Sequence, residues 1–121
     1  MPDRDQLIAD IDSMEPDRFA AHLADDVTMH FGNAEPIHGR QAARDAWAGF
    51  CRDLHGVHHD VVEQWRIDGT AIVEAQVTYT RGDDSTVTVP VVTIYRERGE
   101  GIHDYRIYID LAPLFAGLTP A

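Results

Sequence analysis

The chain has 121 residues and a formal net charge of −11, a length that fits one globular core and leaves no room for separate cofactor and substrate lobes. Hydrophobic residues make up 44% and charged ones 26%, so the chain can fold, while its acidic excess opposes encounters with nucleic-acid phosphates or anionic lipid. No apolar run reaches the ~18 residues of a membrane span, and Asp3, Asp5, Asp10 and Asp12 stand where a secretory leader would be basic and then apolar, so a soluble cytoplasmic protein is expected.

Asp3 can cap a first helix whose apolar residues Leu7, Ile8, Ile11 and Met14 recur on one face. Glu15 and Pro16 punctuate it and start a second short helix with Phe19, Ala20 and Leu23 as its stripe, ended by Asp25 and Asp26. Val27 to Phe31 alternates as a strand, Gly32 to Gly39 is rich in turn residues, and Arg40 to Leu54 returns to helical period through Ala43, Trp47, Phe50, Cys51 and Leu54. Four long strands follow. They run Val57–Ile67, Ala71–Arg81, Thr86–Arg96 and Ile102–Asp110, joined by turns at Asp68-Gly69, Gly82 to Ser85 and Arg98 to Gly101. Pro90 cannot donate to a ladder and predicts a bend or bulge, and Leu111 to Ala121 reads as a tail packed through Leu114 and Phe115. The fold class is therefore α+β: a curved antiparallel or mixed sheet wrapped around a long helix as a cone, in a single domain spanning residues 1–121, with a hollow that can enclose a small molecule.

Several chemistries are excluded by residue usage. All ten basic residues are arginine, which removes the lysine that pyridoxal and Schiff-base enzymes need. Cys51 is the only cysteine, so neither an internal disulfide nor a multi-thiolate zinc site can form. Ser13 and Ser85 are the only serines, and neither sits in a nucleophile elbow. Acid-base work by His, Asp, Glu and Tyr remains, without a cofactor.

Residues 19–31 (FAAHLADDVTMHF), Gly39-Arg40 opening a helix, and Tyr105 to Asp110 closing the sheet resemble the SnoaL-like branch of the nuclear transport factor two-like superfamily. That group, with a cystatin-like α+β barrel, includes ketosteroid isomerases, polyketide cyclases and limonene epoxide hydrolases. The resemblance carries no known catalytic set across. The isomerase's general-base aspartate falls near Phe31 and its oxyanion-hole tyrosine near Ile8. The epoxide hydrolase's Arg-x-Asp pair falls on Gln76 and Thr78, and its second aspartate on Ile107. The same overlay implies the pocket walls: Met29 and Phe31; Glu74, Gln76 and Thr78; Val91 and Thr93; Tyr105 and Ile107.

The strand from Ala71 to Arg81 has two faces, with Val73, Ala75, Val77 and Tyr79 on one and Glu74, Gln76 and Thr78 on the other. Alternation alone turns the polar row to solvent. The overlay reverses it, turning the polar row into the hollow and the apolar row toward a second copy in a sheet-to-sheet homodimer. On that reading a desolvated Glu74 carboxylate becomes the first acid-base candidate, with an ion pair to Arg81 or Arg106 as the structural alternative.

His58 and His59 open a strand and point to opposite faces, so one of them can partner Glu74 as a carboxylate-imidazole dyad, His59 being favoured slightly. His55 adds a third imidazole, but no H-E-x-x-H helix motif accompanies the cluster and no metal is assigned. His30 and Asn33 could position a carbonyl or water at the mouth, or simply cap a loop. Trp47 joins the substrate-binding candidates, and core packing is the default for Trp47 and Trp65. Asp104, Arg106, Tyr108 and Asp110 share one face of the last strand as ion-pair or interface residues. The expected function is cofactor-independent isomerase, cyclase or dehydratase chemistry on an apolar carbonyl compound. A non-catalytic carrier of a hydrophobic ligand and a dimerisation unit are the alternatives.

Overall fold

The computed structural model describes residues 4–99 and 101–115. The expected cap Asp3, Glu100 of the last turn and tail residues 116–121 lie outside them. Helix α1 (Arg4–Asp12) buries Leu7 and Ile11, and α2 (Pro16–Ala20) starts at its proline and buries Phe19 and Ala20. Leu23, expected on that helical stripe, instead opens strand β1 (Leu23–Phe31), because it pairs with Ile102 and the preceding His22 carbonyl accepts the Ile102 N–H at 3.0 Å. A two-residue strand β2 (Ile37–His38) returns against β1. Helix α3 (Arg40–Cys51) follows Gly39, whose φ of 95° suits glycine and whose N–H donates to the Val27 carbonyl. It ends short of Leu54, which enters the next strand.

Strands β3 (Leu54–Ile67), β4 (Thr70–Arg81), β5 (Thr86–Arg98) and β6 (Gly101–Ile109) form the expected antiparallel meander, and β1 adds to β6 in parallel. The spatial order is β2-β1-β6-β5-β4-β3, a curved sheet that does not close on itself. Pro90 makes no bulge. It stands in register opposite Gln76, one residue beyond the last β5–β6 pair, Val91 with Ile109, where no ladder partner needs its missing N–H. The β5 irregularity falls instead at Arg96 and Glu97. Gly101 is buried against β1 so closely that a Cβ there would lie 2.8 Å from the Ala24 nitrogen. The tail begins as a short helix α4 (Ala112–Phe115), fastened by Arg81, which donates to the carbonyls of Pro113 at 2.9 Å and Leu114 at 3.0 Å.

The concave face carries the core. Ala43, Trp47 and Cys51 recur every four residues along α3 and pack toward Val73, Ala75, Val77 and Tyr79 of β4 and Val89, Val91 and Tyr95 of β5. The overlay's orientation of β4 is thus overturned. Glu74, Gln76 and Thr78 stand on the outer face: Glu74 lies across from Glu63 and Val92, Gln76 is exposed, and Thr78 shares a 2.8 Å hydroxyl contact with Thr88. The reason is energetic. Each Val or Tyr side chain withdrawn from water contributes roughly 1.5–3 kcal/mol, whereas turning the strand over would bury a carboxylate and an amide against hydrocarbon.

Candidate functional site

A hollow of about 30 Å³ lies between the concave sheet, α3 and the two N-terminal helices. Its walls are Ile11 of α1, Phe19 of α2, Met29 and Phe31 of β1, Trp47 of α3, His59 of β3, Tyr79, Val91, Thr93, Tyr105 and Ile107. A second space of about 20 Å³ shares Ile11, His59, Thr93 and Tyr105 with it. His59 therefore stands at the junction of the two. The rings around them are in mutual contact: Phe19 meets Trp47 at 5.9 Å and Tyr105 at 5.5 Å, and Phe50 stacks on Trp47 at 5.5 Å with 24° between planes. Burial pushes the hydroxyls of Tyr79 and Tyr105 well above the ordinary tyrosine value, so both stay protonated.

The imidazole in this wall has a carboxylate partner that the sequence did not single out. Asp12, the last residue of α1, accepts from His59 Nδ1 at 2.6 Å through one oxygen and from the His59 backbone N–H at 2.9 Å through the other. The two side chains are 18% and 15% exposed. A carboxylate can only accept, so Nδ1 carries the proton of this contact, and in the neutral ring the lone pair is then on Nε2. The arrangement is a carboxylate-imidazole pair in an apolar, aromatic hollow. A pair of this kind is chemically suited to moving a proton.

His59 therefore occupies the position expected of it, with a different partner. Glu74 is on the other side of the sheet. Its neighbour His58 is exposed on the outer face, 3.1 Å from Asp60 through Nε2. Strand alternation does not by itself choose between the two histidines because β3 is irregular between Val61 and Glu63, where Val61 pairs with Ala75 but Glu63 pairs with Glu74. His59 and Val61 face inward before that step, and Glu63 and Trp65 face outward after it, which leaves Trp65 44% exposed rather than in the core.

Met29, Phe31, Trp47, Val91, Thr93, Tyr105 and Ile107 line the hollow as expected. His30 does not, since it alternates with Met29 and Phe31, and Asn33 lines a separate surface depression with Tyr108 and Phe115. Asp104 receives Arg96 at 3.0 Å and Arg106 at 3.1 Å, the ion-pair role foreseen for that strand face. Ile11, Phe19, Tyr79 and Asp12 were missed as site residues. Tyr79 was legible in the apolar row of its strand. Asp12 only borders the Leu7, Ile8 and Ile11 stripe, and no local pattern links it to His59. Among the described residues, no group of three His, Cys, Asp or Glu side chains is placed to hold a metal ion, and no helix is long and apolar enough to cross a membrane.

Residues 5–105 match the family model of the SnoaL-like domain, and the chain belongs to that family. Its fold is shared with solved structures of cystatin-like and ketosteroid-isomerase-like type. A hypothetical protein with ketosteroid isomerase-like fold from Catenulispora acidiphila, in complex with trimethylamine, is 21% identical, with a TM-score of 0.83 over 93% of this chain and 88% of that one. A putative SnoaL-like polyketide cyclase from Jannaschia sp. is 18% identical, with a TM-score of 0.75 over 88% and 80%. An epoxide hydrolase of the limonene type from M. tuberculosis is 17% identical, with a TM-score of 0.77 over 94% and 84%. Among curated proteins, none matches the chain.

Proposed function

We propose that this SnoaL-like domain moves a proton on a compact, largely apolar carbonyl compound, as in isomerisation, cyclisation or dehydration, with His59 as the base and Asp12 as the group that orients it. The observation that carries this reading is the 2.6 Å contact between Asp12 and His59 in the wall of an aromatic hollow. A base whose lone pair is fixed beside a largely apolar cavity is suited to removing a proton next to a carbonyl, and the carboxylate stabilises the imidazolium that results. Family membership supports chemistry of the cyclase or isomerase kind, and the trimethylamine complex of the C. acidiphila protein supports small-molecule binding on this fold.

Exchange of acetone methyl protons for deuterium in heavy water, followed by proton NMR, tests the reading without a natural substrate. Wild-type protein should accelerate exchange over buffer, and His59→Gln should lose about 10²-fold or more of the acceleration, the usual contribution of a positioned base. Exchange at the buffer rate with wild type, or at the wild-type rate with the variant, removes the proposal.

A second reading, a non-catalytic carrier, is favoured by one observation: Phe31 and Ile107 stand in the hollow where the isomerase and hydrolase carboxylates were expected. Ligand binding that raises thermal stability while the ligand is recovered unchanged would support it. We also propose a second copy of the chain as partner on the outer sheet face. The apolar row once expected there is in the core, but Trp65, Ile67 and Tyr108 are exposed around that face. Sedimentation of the wild type against Trp65→Glu tests it, and a wild-type monomer would refute it.

A further inference from the structure

We propose that the indole N–H of Trp47 holds the oxygen of the ligand, so that the hollow selects molecules presenting a hydrogen-bond acceptor, a carbonyl above all, over ammonium ions and hydrocarbons. The inference deepens the proton-transfer reading and rests on it for the role of His59. Trp47 is 6% exposed, its ring is part of the same wall as His59, and its Nε1 is buried with no hydrogen-bond partner. An indole nitrogen can only donate, and a buried donor left unpaired costs roughly 1–3 kcal/mol, so native proteins seldom leave one without a use. Phenylalanine would supply hydrophobic packing at this position without that cost.

The donor is also held in place. Ala43, Trp47 and Cys51 form the buried face of α3, and the indole is clamped between Phe19 at 5.9 Å and the stacked ring of Phe50 at 5.5 Å. A ring held in this way loses little freedom on making a hydrogen bond, and a bond from such a donor also stabilises negative charge developing on a carbonyl oxygen. On this proposal a ligand in the hollow meets two complementary polar features: the indole donor on α3, and on β3 an imidazole whose Nδ1–H is committed to Asp12. A carbonyl compound with an acidic neighbouring hydrogen satisfies both. An ammonium ion offers nothing to an N–H, and a hydrocarbon satisfies neither. The small volumes of the two spaces, about 30 and 20 Å³, favour a compact molecule.

The chain has two tryptophans, so Trp65→Phe on the outer face leaves a single indole resonance, that of Trp47. In that background acetone should move the Trp47 indole proton downfield on saturation, whereas isobutene, of the same shape without the oxygen, should leave it without a hydrogen-bond shift. Trp47→Phe should weaken acetone binding, followed through the Met29 methyl resonance, by about 3–10-fold, the worth of one hydrogen bond, and leave isobutene within about twofold. His59→Gln should retain the acetone-induced indole shift while losing proton exchange, which separates failure of the anchor from failure of the base. If acetone leaves the indole proton where isobutene leaves it, or fails to bind, the anchor is refuted even should Trp47→Phe prove unable to fold.

Discussion

Replacing Asp12 by asparagine changes one atom of the candidate pair and so isolates what the carboxylate does. In the native arrangement each carboxylate oxygen receives one hydrogen bond from His59, at 2.6 Å from the ring and 2.9 Å from the backbone. Asparagine keeps an oxygen for the backbone N–H but presents an NH₂ group to Nδ1. Losing one hydrogen bond to a charged, mostly buried acceptor costs about 1.5–3 kcal/mol, which a urea titration with unchanged slope would report directly. The chemical effect is larger. Facing a donor, Nδ1 must become the acceptor and the proton must move to Nε2, which loses its lone pair. Acetone exchange should then fall to the level of His59→Gln, and long-range proton–nitrogen NMR should show the ring in the opposite tautomer. Stability within about 0.5 kcal/mol of wild type, together with an unchanged tautomer, would refute the coupling of α1 to β3 through this pair.

Glu74→Gln should leave acetone exchange as in wild type and stability within about 0.5 kcal/mol, because the side chain is on the outer face; loss of exchange would show that this carboxylate matters after all. The carboxylate of Asp10 accepts from His22 Nε2 at 2.7 Å, and that hydrogen bond holds it below the ordinary aspartate value. The folded state therefore stays ionised where the unfolded chain takes up a proton, so its stabilisation is full above the unfolded value of about 3.9 and is lost as pH falls toward the lower folded value. Thermal melts from about pH 6 down to pH 2 should show wild type ahead of Asp10→Asn at the upper end and the gap closing at the lower. Gly101→Ala should cost about 1–3 kcal/mol, since the new Cβ meets the backbone of Leu23 and Ala24, whereas Gly49→Ala on open helix surface should stabilise by up to about 1 kcal/mol. Equal effects in calorimetry would contradict the close approach of β1 and β6.

Local pattern carried the elements and failed where long-range pairing decided. The Asp68-Gly69 hairpin, the stripe of α3 and the alternation of β4 were all readable because each is set by neighbours a few residues away. Leu23 was assigned to a helix because its periodicity fits one, and a parallel partner almost eighty residues on took it into a strand. The orientation of β4 was readable from Val73, Ala75, Val77 and Tyr79, whose burial outweighs anything their polar neighbours could gain inside. Setting alternation aside for the overlay gave the wrong face. His59 was within reach of the sequence, but its carboxylate was not: Asp12 is 47 positions away, and no periodicity links a helix end to a strand that far along.

The helix that supplies Asp12 also contributes Ile11 to the enclosure, and two residues earlier Asp10 ties it to His22. On the proposed mechanism, the wall of the hollow and the alignment of its base are thus vested in one short stretch of backbone. Were α1 to swing outward and admit a guest, it would carry away the group that aligns the imidazole, and on the proposed mechanism an open vestibule would be an inert one.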